Sequence, residues 1–351
     1  MDNVRYTPRR FAELLDLTST ELEKLERGPL KPLRGGPVPA ASTASVRKGA
    51  ATGDGRLYFT PKDLAAARAT LGISIPQQPL RRQLFLNFKG GTGKTSVSTA
   101  YAFRLAEMGH KVLVVDLDSQ GHASKCLGVA SEDLPTLTDA LIQRRPLAEI
   151  TVSTCVPGLD LVPSNLSMST VDLALMPLAA REFRLRNVLK EAEGRYAFVV
   201  MDAPPSFGLL NLNALMAASD LFVPVLADFL SFHGLKLLFE TVQSMEEDLQ
   251  HVLDHIFIVM NAYNQTYKIA REARVAYEKH YPEFLLKSAI RQCTKFAQAS
   301  SEGIPIFGFD WESKGAQDIQ AVMDEVFART AASAEAKSAT VPLRPVMARG
   351  R

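Results

Sequence analysis

Residues 88–96 read FKGGTGKTS, and this run constrains the chain more than any other stretch. Gly90, Gly91 and Gly93 remove three Cβ atoms within four positions, so backbone N–H groups can converge on one anion. An apolar segment, LFLNF at 84–88, precedes the run, and a helical pattern opens at Lys94. That placement aims the positive end of a helix dipole at the same anion. Thr92 and Ser96 lie within the cradle, Lys94 brings a point charge to phosphates, and the Thr95 hydroxyl is placed to ligate a magnesium ion. A phosphate loop of the form G-x-x-x-x-G-K-[ST] has glycine at both ends. Here Phe88 takes the first place and a second lysine, Lys89, follows it. Lys94 is enough to neutralise phosphates from within the chain, so the cradle alone does not explain Lys89.

Beyond this loop, near-continuous apolar runs alternate with helical patterns: KVLVVD (111–116), LDLVPS (159–164), AFVVMD (197–202), LFVPVL (221–226) and HIFIVMN (255–261). Such runs predict an α/β fold, a mostly parallel twisted sheet with helices on both faces. Ligands bind beyond the carboxyl ends of the strands in these folds, which is where the loop falls. Asp202 closes AFVVMD, a position suited to a carboxylate near the metal, and Asp118 in VVDLDSQGHAS lies just past another strand end, where it would orient a water. Asp116 reads as a strand-end carboxylate bonded to loop backbone, and His122 as a polar loop residue.

The first region is different. YTPRRFAELLDLTSTELEKLERG offers Thr7 as a helix cap, Pro8 at the first helical position, and Phe11, Leu14 and Leu15 on one face. A second helix would turn Leu22 and Leu25 inward. A Gly/Pro/Ala/Ser-rich stretch spans Gly28 to Gly55, then Thr60 and Pro61 open a third helix ending near Gly72. ISIPQQPLRRQ, 73–83, reads as a proline-containing linker. At 46% hydrophobic and 22% charged the chain is ordinary for a globular protein, but its charge is uneven. Residues 1–83 carry 14 Lys/Arg against 8 Asp/Glu, and 84–329 carry 22 against 29. The tail 330–351 is basic and interrupted by Pro342 and Pro345, with no amphipathic face, so it reads as disordered and not as a membrane anchor. Basic ends suit attraction to a polyanion or simple solubility. No apolar run is long enough to span a membrane, the opening MDNVRYTPRRF lacks a leader-like core, and Cys126, Cys155 and Cys293 lack metal or disulfide spacing. A cytoplasmic protein is expected.

Two resemblances add to this reading. The Y-T-P opening, E-R-G after the second helix and R-x-Y-x-x-x-D-L at the third make residues 1–75 similar to the winged helix-turn-helix of MerR-type regulators, followed by a linker over 76–83. In that likeness Arg47, Lys48 and Arg56 of the wing suit DNA phosphates. K-G-G-T-G-K-T at 89–95, V-V-D-L-D-S-Q-G-H-A-S at 114–124 and V-V-M-D-A-P-P-S at 199–206 resemble the deviant Walker A ATPases, most of all ParA-type partition proteins. VPVLADFLSFHGL, VMNAYNQ, IRQCTKFAQASSEGIPIFGFD and SKGAQD extend that likeness over roughly 84–327, within an ATPase domain expected at 84–329. Serine at 119 and histidine at 122 depart from the family's usual proline and asparagine.

The resemblance implies an ATPase that uses ATP and magnesium. Catalysis would rest on Lys89, Lys94, Asp118 and Asp202, the metal on Thr95, Asp118 and Asp202, and Asn261 would read the adenine edge. It implies a homodimer formed on ATP, with Lys94 acting in its own subunit and Lys89 reaching the partner's nucleotide. The dimer would bind DNA non-specifically on the nucleoid, and a ParB-like partner or cargo adaptor would stimulate hydrolysis. Lys268, Arg271, Arg274, Arg291 and Lys295 are the candidate phosphate contacts, with a merely solvated helix surface as the alternative. The cargo is a plasmid or chromosome, or else a protein cluster or division regulator. An ATP-liganded transcriptional repressor is the reading from another class.

Overall fold

A computed structural model describes residues 4–27, 58–76 and 78–339. Among these, one sheet holds β1 (Arg81–Phe85), β2 (Val112–Asp116), β3 (Val152–Ser153), β4 (Leu159–Val162), β5 (Phe198–Asp202), β6 (Asp220–Leu226), β7 (His255–Tyr263) and β8 (Leu285–Arg291). Their spatial order is β3-β4-β2-β5-β1-β6-β7-β8, and only the β3–β4 pairing is antiparallel. Every residue of β2 and β5 is buried, as expected for strands covered on both faces. From β1 the chain first moves to one side of the sheet and later, through β6, to the other. The crevice beyond β1 is therefore the topological switch point where such sheets bind ligands.

Three boundaries and one strand depart from the sequence reading. The linker expected over 76–83 ends early, because the Arg81 N–H donates to Ala197 O at 3.0 Å and Arg81 Nε donates to the buried Asp220 carboxylate at 2.8 Å. The first strand stops at Phe85 and not 88, since Asn87 turns to donate to Pro224 O at 2.8 Å. β8 escaped the reading because LLKSAIR interrupts its apolar residues with Lys287 and Ser288, as a sheet edge allows. The tail expected to be disordered from 330 is helical through Ala339, at the end of the helix Lys314–Ala339. Its AASAEAKSA run is rich in alanine, the strongest helix former. No helix among the described residues is long and apolar enough to cross a membrane.

The N-terminal helices form where their signals lie: α1 (Pro8–Leu15), α2 (Ser19–Arg27) and α3 (Pro61–Leu71). Thr7 caps α1, accepting from Arg10 N at 3.2 Å, and Thr60 with Asp63 forms a capping box on α3. Tyr6 and Phe59 pair as an antiparallel bridge, and Phe11 stacks on Phe59 with ring centres 4.0 Å apart. The wing residues Arg47, Lys48 and Arg56 and the Leu25 side chain lie outside the described residues.

Among the described residues, this N-terminal unit does not have a core of its own. Val4, Tyr6, Phe11, Leu15, Leu22, Phe59, Leu64 and Ala67 belong to the same apolar cluster as Phe85, Val114, Phe198 and Val322. The helix following the phosphate loop, α4 (Lys94–Glu107), runs through that cluster. At its far end Arg10 and Arg104 converge on Glu107 Oε2 at 3.1 and 3.2 Å, and Arg68 donates to the Glu107 carbonyl. The Arg10 guanidinium also lies 4.7 Å from the Trp311 ring. A second cluster, including Leu84, Leu113, Met201, Leu238 and Tyr277, fills the opposite face of the sheet.

Candidate functional site

The loop after β1 is fixed from below before any ligand enters. Asn87, 1% exposed, donates to Pro224 O on β6 and accepts from Lys89 N–H at 2.9 Å. Gly93 precedes α4 with φ +85°, the left-handed region, and a Cβ there would lie 2.1 Å from Asn261 Nδ2. Both conformation and space therefore require glycine. Asn261, near the end of β7, donates to Thr92 O at 2.8 Å. It braces the loop, where the sequence likeness has it reading a base edge. Gly90 and Gly91 form the exposed rim and Ser96 is half-buried in the first turn of α4.

Lys94 is buried and folds back so that Nζ donates to Lys89 O at 3.3 Å. Burial pushes its pKa down, opposed by the charges of Asp202 and Asp118. Thr95 Oγ1 donates to Asp202 Oδ2 at 2.7 Å, and Ser98 Oγ donates to Asp202 Oδ1 at 2.9 Å. Asp116 and Asp202 are register partners at the ends of β2 and β5. Burial, then the Asp116 charge, pushes Asp202 up to about 7, and burial pushes Asp116 up to about 6.

Asp116 behaves as its sequence position suggests. It accepts from Ser124 N and Oγ at 2.8 and 2.7 Å and from Asp118 N at 3.2 Å, tying down the loop that carries Asp118. Asp118 is only partly buried, and its Oδ1 accepts from Gln120 N at 3.0 Å. His122 is exposed at the start of α5 (His122–Cys126). Lys94, Thr95, Asp118 and Asp202 thus gather at one end of the sheet. A cavity of about 680 Å³ lined by Val242, His255, Phe284 and Arg329 lies at the other end, where β7 begins, away from these groups.

Lys89 is placed differently from the sequence expectation. Instead of pointing away from its subunit, its Nζ lies 2.9 and 3.0 Å from the two oxygens of Asp228. Sequence reasoning gave no role to Asp228, Ser98 or Asn87. Of the three, Ser98 carried a usable signal, standing one helical turn after Thr95 on the face turned to Asp202.

The five candidate DNA contacts are not brought into one open patch of free cations. Lys268 pairs with Glu272 at 3.5 Å, Arg274 with Glu278 at 2.8 Å, Arg291 with Asp318 at 2.8 Å, and Lys295 with Asp310 at 3.5 Å. Arg271 donates to the carbonyls of Gln265 and Thr266 at 2.8 and 3.0 Å.

Comparison with known proteins decides what this geometry belongs to. A family described as AAA domain matches residues 83–255. The chain is 66% identical over 277 residues to the cell division protein PomZ of Myxococcus xanthus, covering 79% of this chain and 87% of that one. It is 32% identical over 254 residues to the chromosome partitioning protein ParA of Caulobacter vibrioides, covering 72% and 95%. The chain belongs to the ParA/MinD family of P-loop ATPases. Among solved structures it resembles cobyrinic acid a,c-diamide synthase from Mycobacterium smegmatis with bound ATP analogue and magnesium. That match has TM-score 0.62 and 26% identity, over 71% of this chain and 94% of that one. The family match at 83–255 takes in all of α4 and the strands β2 to β6. It does not extend to the likeness of residues 1–75 to MerR-type modules.

Proposed function

We propose that the protein is an ATP-driven positioning switch for a component of cell division, working as a dimer on DNA. The observation that carries the choice of cargo is the 66% identity to a cell division protein, against 32% to a chromosome partitioning protein. A plasmid or chromosome as cargo is the reading this displaces. The residues fit a magnesium nucleotide: a positive-φ cradle at Gly93, a buried ammonium at Lys94, and the Thr95 hydroxyl held by Asp202. Bound magnesium would neutralise charge between the phosphate oxygens. Thr95 would ligate it directly, with Asp202 fixing the Thr95 oxygen from behind. Lys94 would hold the phosphates in its own subunit. Asp118, less buried than Asp116 and Asp202, would orient the attacking water. Lys89 would exchange its own subunit's carboxylate for the phosphates of a second copy, closing the dimer.

DNA binding by Lys268, Arg271, Arg274, Arg291 and Lys295, and stimulation by a cargo adaptor, complete the cycle as proposals. The N-terminal helices keep their reading as a MerR-like module that adds DNA contact through its wing. Because that module shares the ATPase core, it would act as part of one rigid body. The decisive experiment replaces the Myxococcus xanthus relative with this chain. Correct placement of the division site supports the reading. A chain that is stably produced and hydrolyses ATP, yet leaves division misplaced while restoring segregation to a strain lacking its ParA, would refute it.

A further inference from the structure

We propose that Asp228 is a positioning residue for Lys89: it holds the lysine against its own subunit until phosphates of a second subunit displace it. The proposal rests on the reading of Lys89 as the cation that crosses the dimer. Lys89 stands on the phosphate loop, whereas Asp228 follows the end of β6 and immediately precedes the helix Phe229–Leu249. Asn87 sets the distance between these two segments, since it bonds both Pro224 O and Lys89 N–H. Loop and strand are therefore clamped together, and the long Lys89 side chain is the part with freedom to change partner.

The energetics suit exchange. The side chains of Lys89 and Asp228 are 27% and 34% exposed, so solvent screens their attraction. An ion pair in this setting contributes at most about 1 kcal/mol. Asp228 also lies at a helix N-terminus, where the helix dipole keeps a carboxylate favourable after the ammonium has left. Releasing Lys89 thus leaves no buried orphan charge. A triphosphate offers the ammonium more negative charge than one carboxylate, so the exchange runs toward the dimer only when nucleotide is present on the other subunit. Asp228 would thereby set the nucleotide concentration at which pairing begins.

The test titrates a non-hydrolysable ATP analogue with magnesium into the full chain and follows the dimer fraction by light scattering. Affinity of the monomer for a fluorescent ADP is measured alongside. Asp228→Asn and Asp228→Ser are expected to lower the analogue concentration at half-dimerisation by up to about fivefold, with ADP affinity unchanged. Asp228→Glu, which keeps the carboxylate, should return the midpoint to that of the unsubstituted chain. A midpoint unmoved or raised in both neutral variants overturns the proposal, as does a parallel fall in ADP affinity, which would mean that Asp228 only shapes the loop. Lys89→Ala separates the two layers. If it stays monomeric while the Asp228 variants shift nothing, only the role of Asp228 fails. If Lys89→Ala still pairs, the reading of Lys89 fails and the proposal with it.

Discussion

The phosphate loop that leads into α4 and the far end of α4 are each held by pairs of basic and acidic side chains, yet the pairs differ in kind. At the far end Arg10 and Glu107 are 9% and 0% exposed, and Arg104 adds a second guanidinium on the same carboxylate. Burial, with the Glu107 charge adjacent, holds the Tyr6 phenol well above its usual pKa, a mark of how little water reaches this network. At the nucleotide end Lys89 and Asp228 remain partly in water. A buried pair cannot be opened without leaving a desolvated charge, whereas a half-exposed one can change partner at small cost. The same chemistry therefore makes a permanent joint at the far end of the helix and an exchangeable contact at the loop before it. It also ties the N-terminal helices to α4 by contacts that swinging on a linker would break.

The largest effect should come from breaking the joint. Glu107→Ala leaves Arg10 and Arg104 desolvated without their carboxylate and should destabilise the chain by about 3–5 kcal/mol in urea unfolding. A loss below about 1 kcal/mol would mean that the N-terminal unit is only loosely attached, and the contrast between the two ends would collapse. Next come the groups that face nucleotide. Lys94→Ala should abolish ATP binding, read by fluorescence of a labelled nucleotide, while the fold survives. Asp118→Ala should keep binding and pairing but slow turnover roughly a hundredfold or more. Normal turnover in that variant would move the water-orienting role to another residue.

How much of this contrast was legible in the sequence follows from the range of the interactions. The phosphate loop, Thr95 and Asp202 announce themselves because strand ends and helix starts are local signals, and the sheet brings their ends together by topology alone. Caps at Thr7 and Thr60 were readable for the same reason. The Arg10–Glu107 joint spans 97 positions and the Lys89–Asp228 pair 139, and no periodicity links residues so far apart. The proline-containing segment at 73–83 reads as a linker between domains, although among the described residues the apolar faces of α1 and α3 pack into the same cluster as the ATPase sheet. Pro342, Pro345 and scattered apolar residues with no amphipathic face hide the helical start of the tail, which rests on the alanines before them.

The smallest effect concerns Arg291, whose pairing extends the same logic to DNA. Its guanidinium makes two hydrogen bonds to Asp318 Oδ1, at 3.1 and 2.8 Å, while half of its side chain faces solvent. Asp318 also accepts from the Arg291 N–H at 2.8 Å, so the carboxylate is anchored to backbone and Arg291 is the member with freedom to leave. If a phosphate competes for Arg291, Asp318→Asn should tighten binding to random duplex a few-fold, because the neutral amide releases the guanidinium more readily. Arg291→Glu should weaken binding and flatten the salt dependence by about 0.9 in log–log slope, the signature of one lost phosphate contact. Fluorescence anisotropy across a salt series, with the ATP-bound dimer, reads both. Should neither variant change affinity or slope, Arg291 is an internal brace like Arg10, and any phosphate contact falls to the other four candidates, Lys268, Arg271, Arg274 and Lys295.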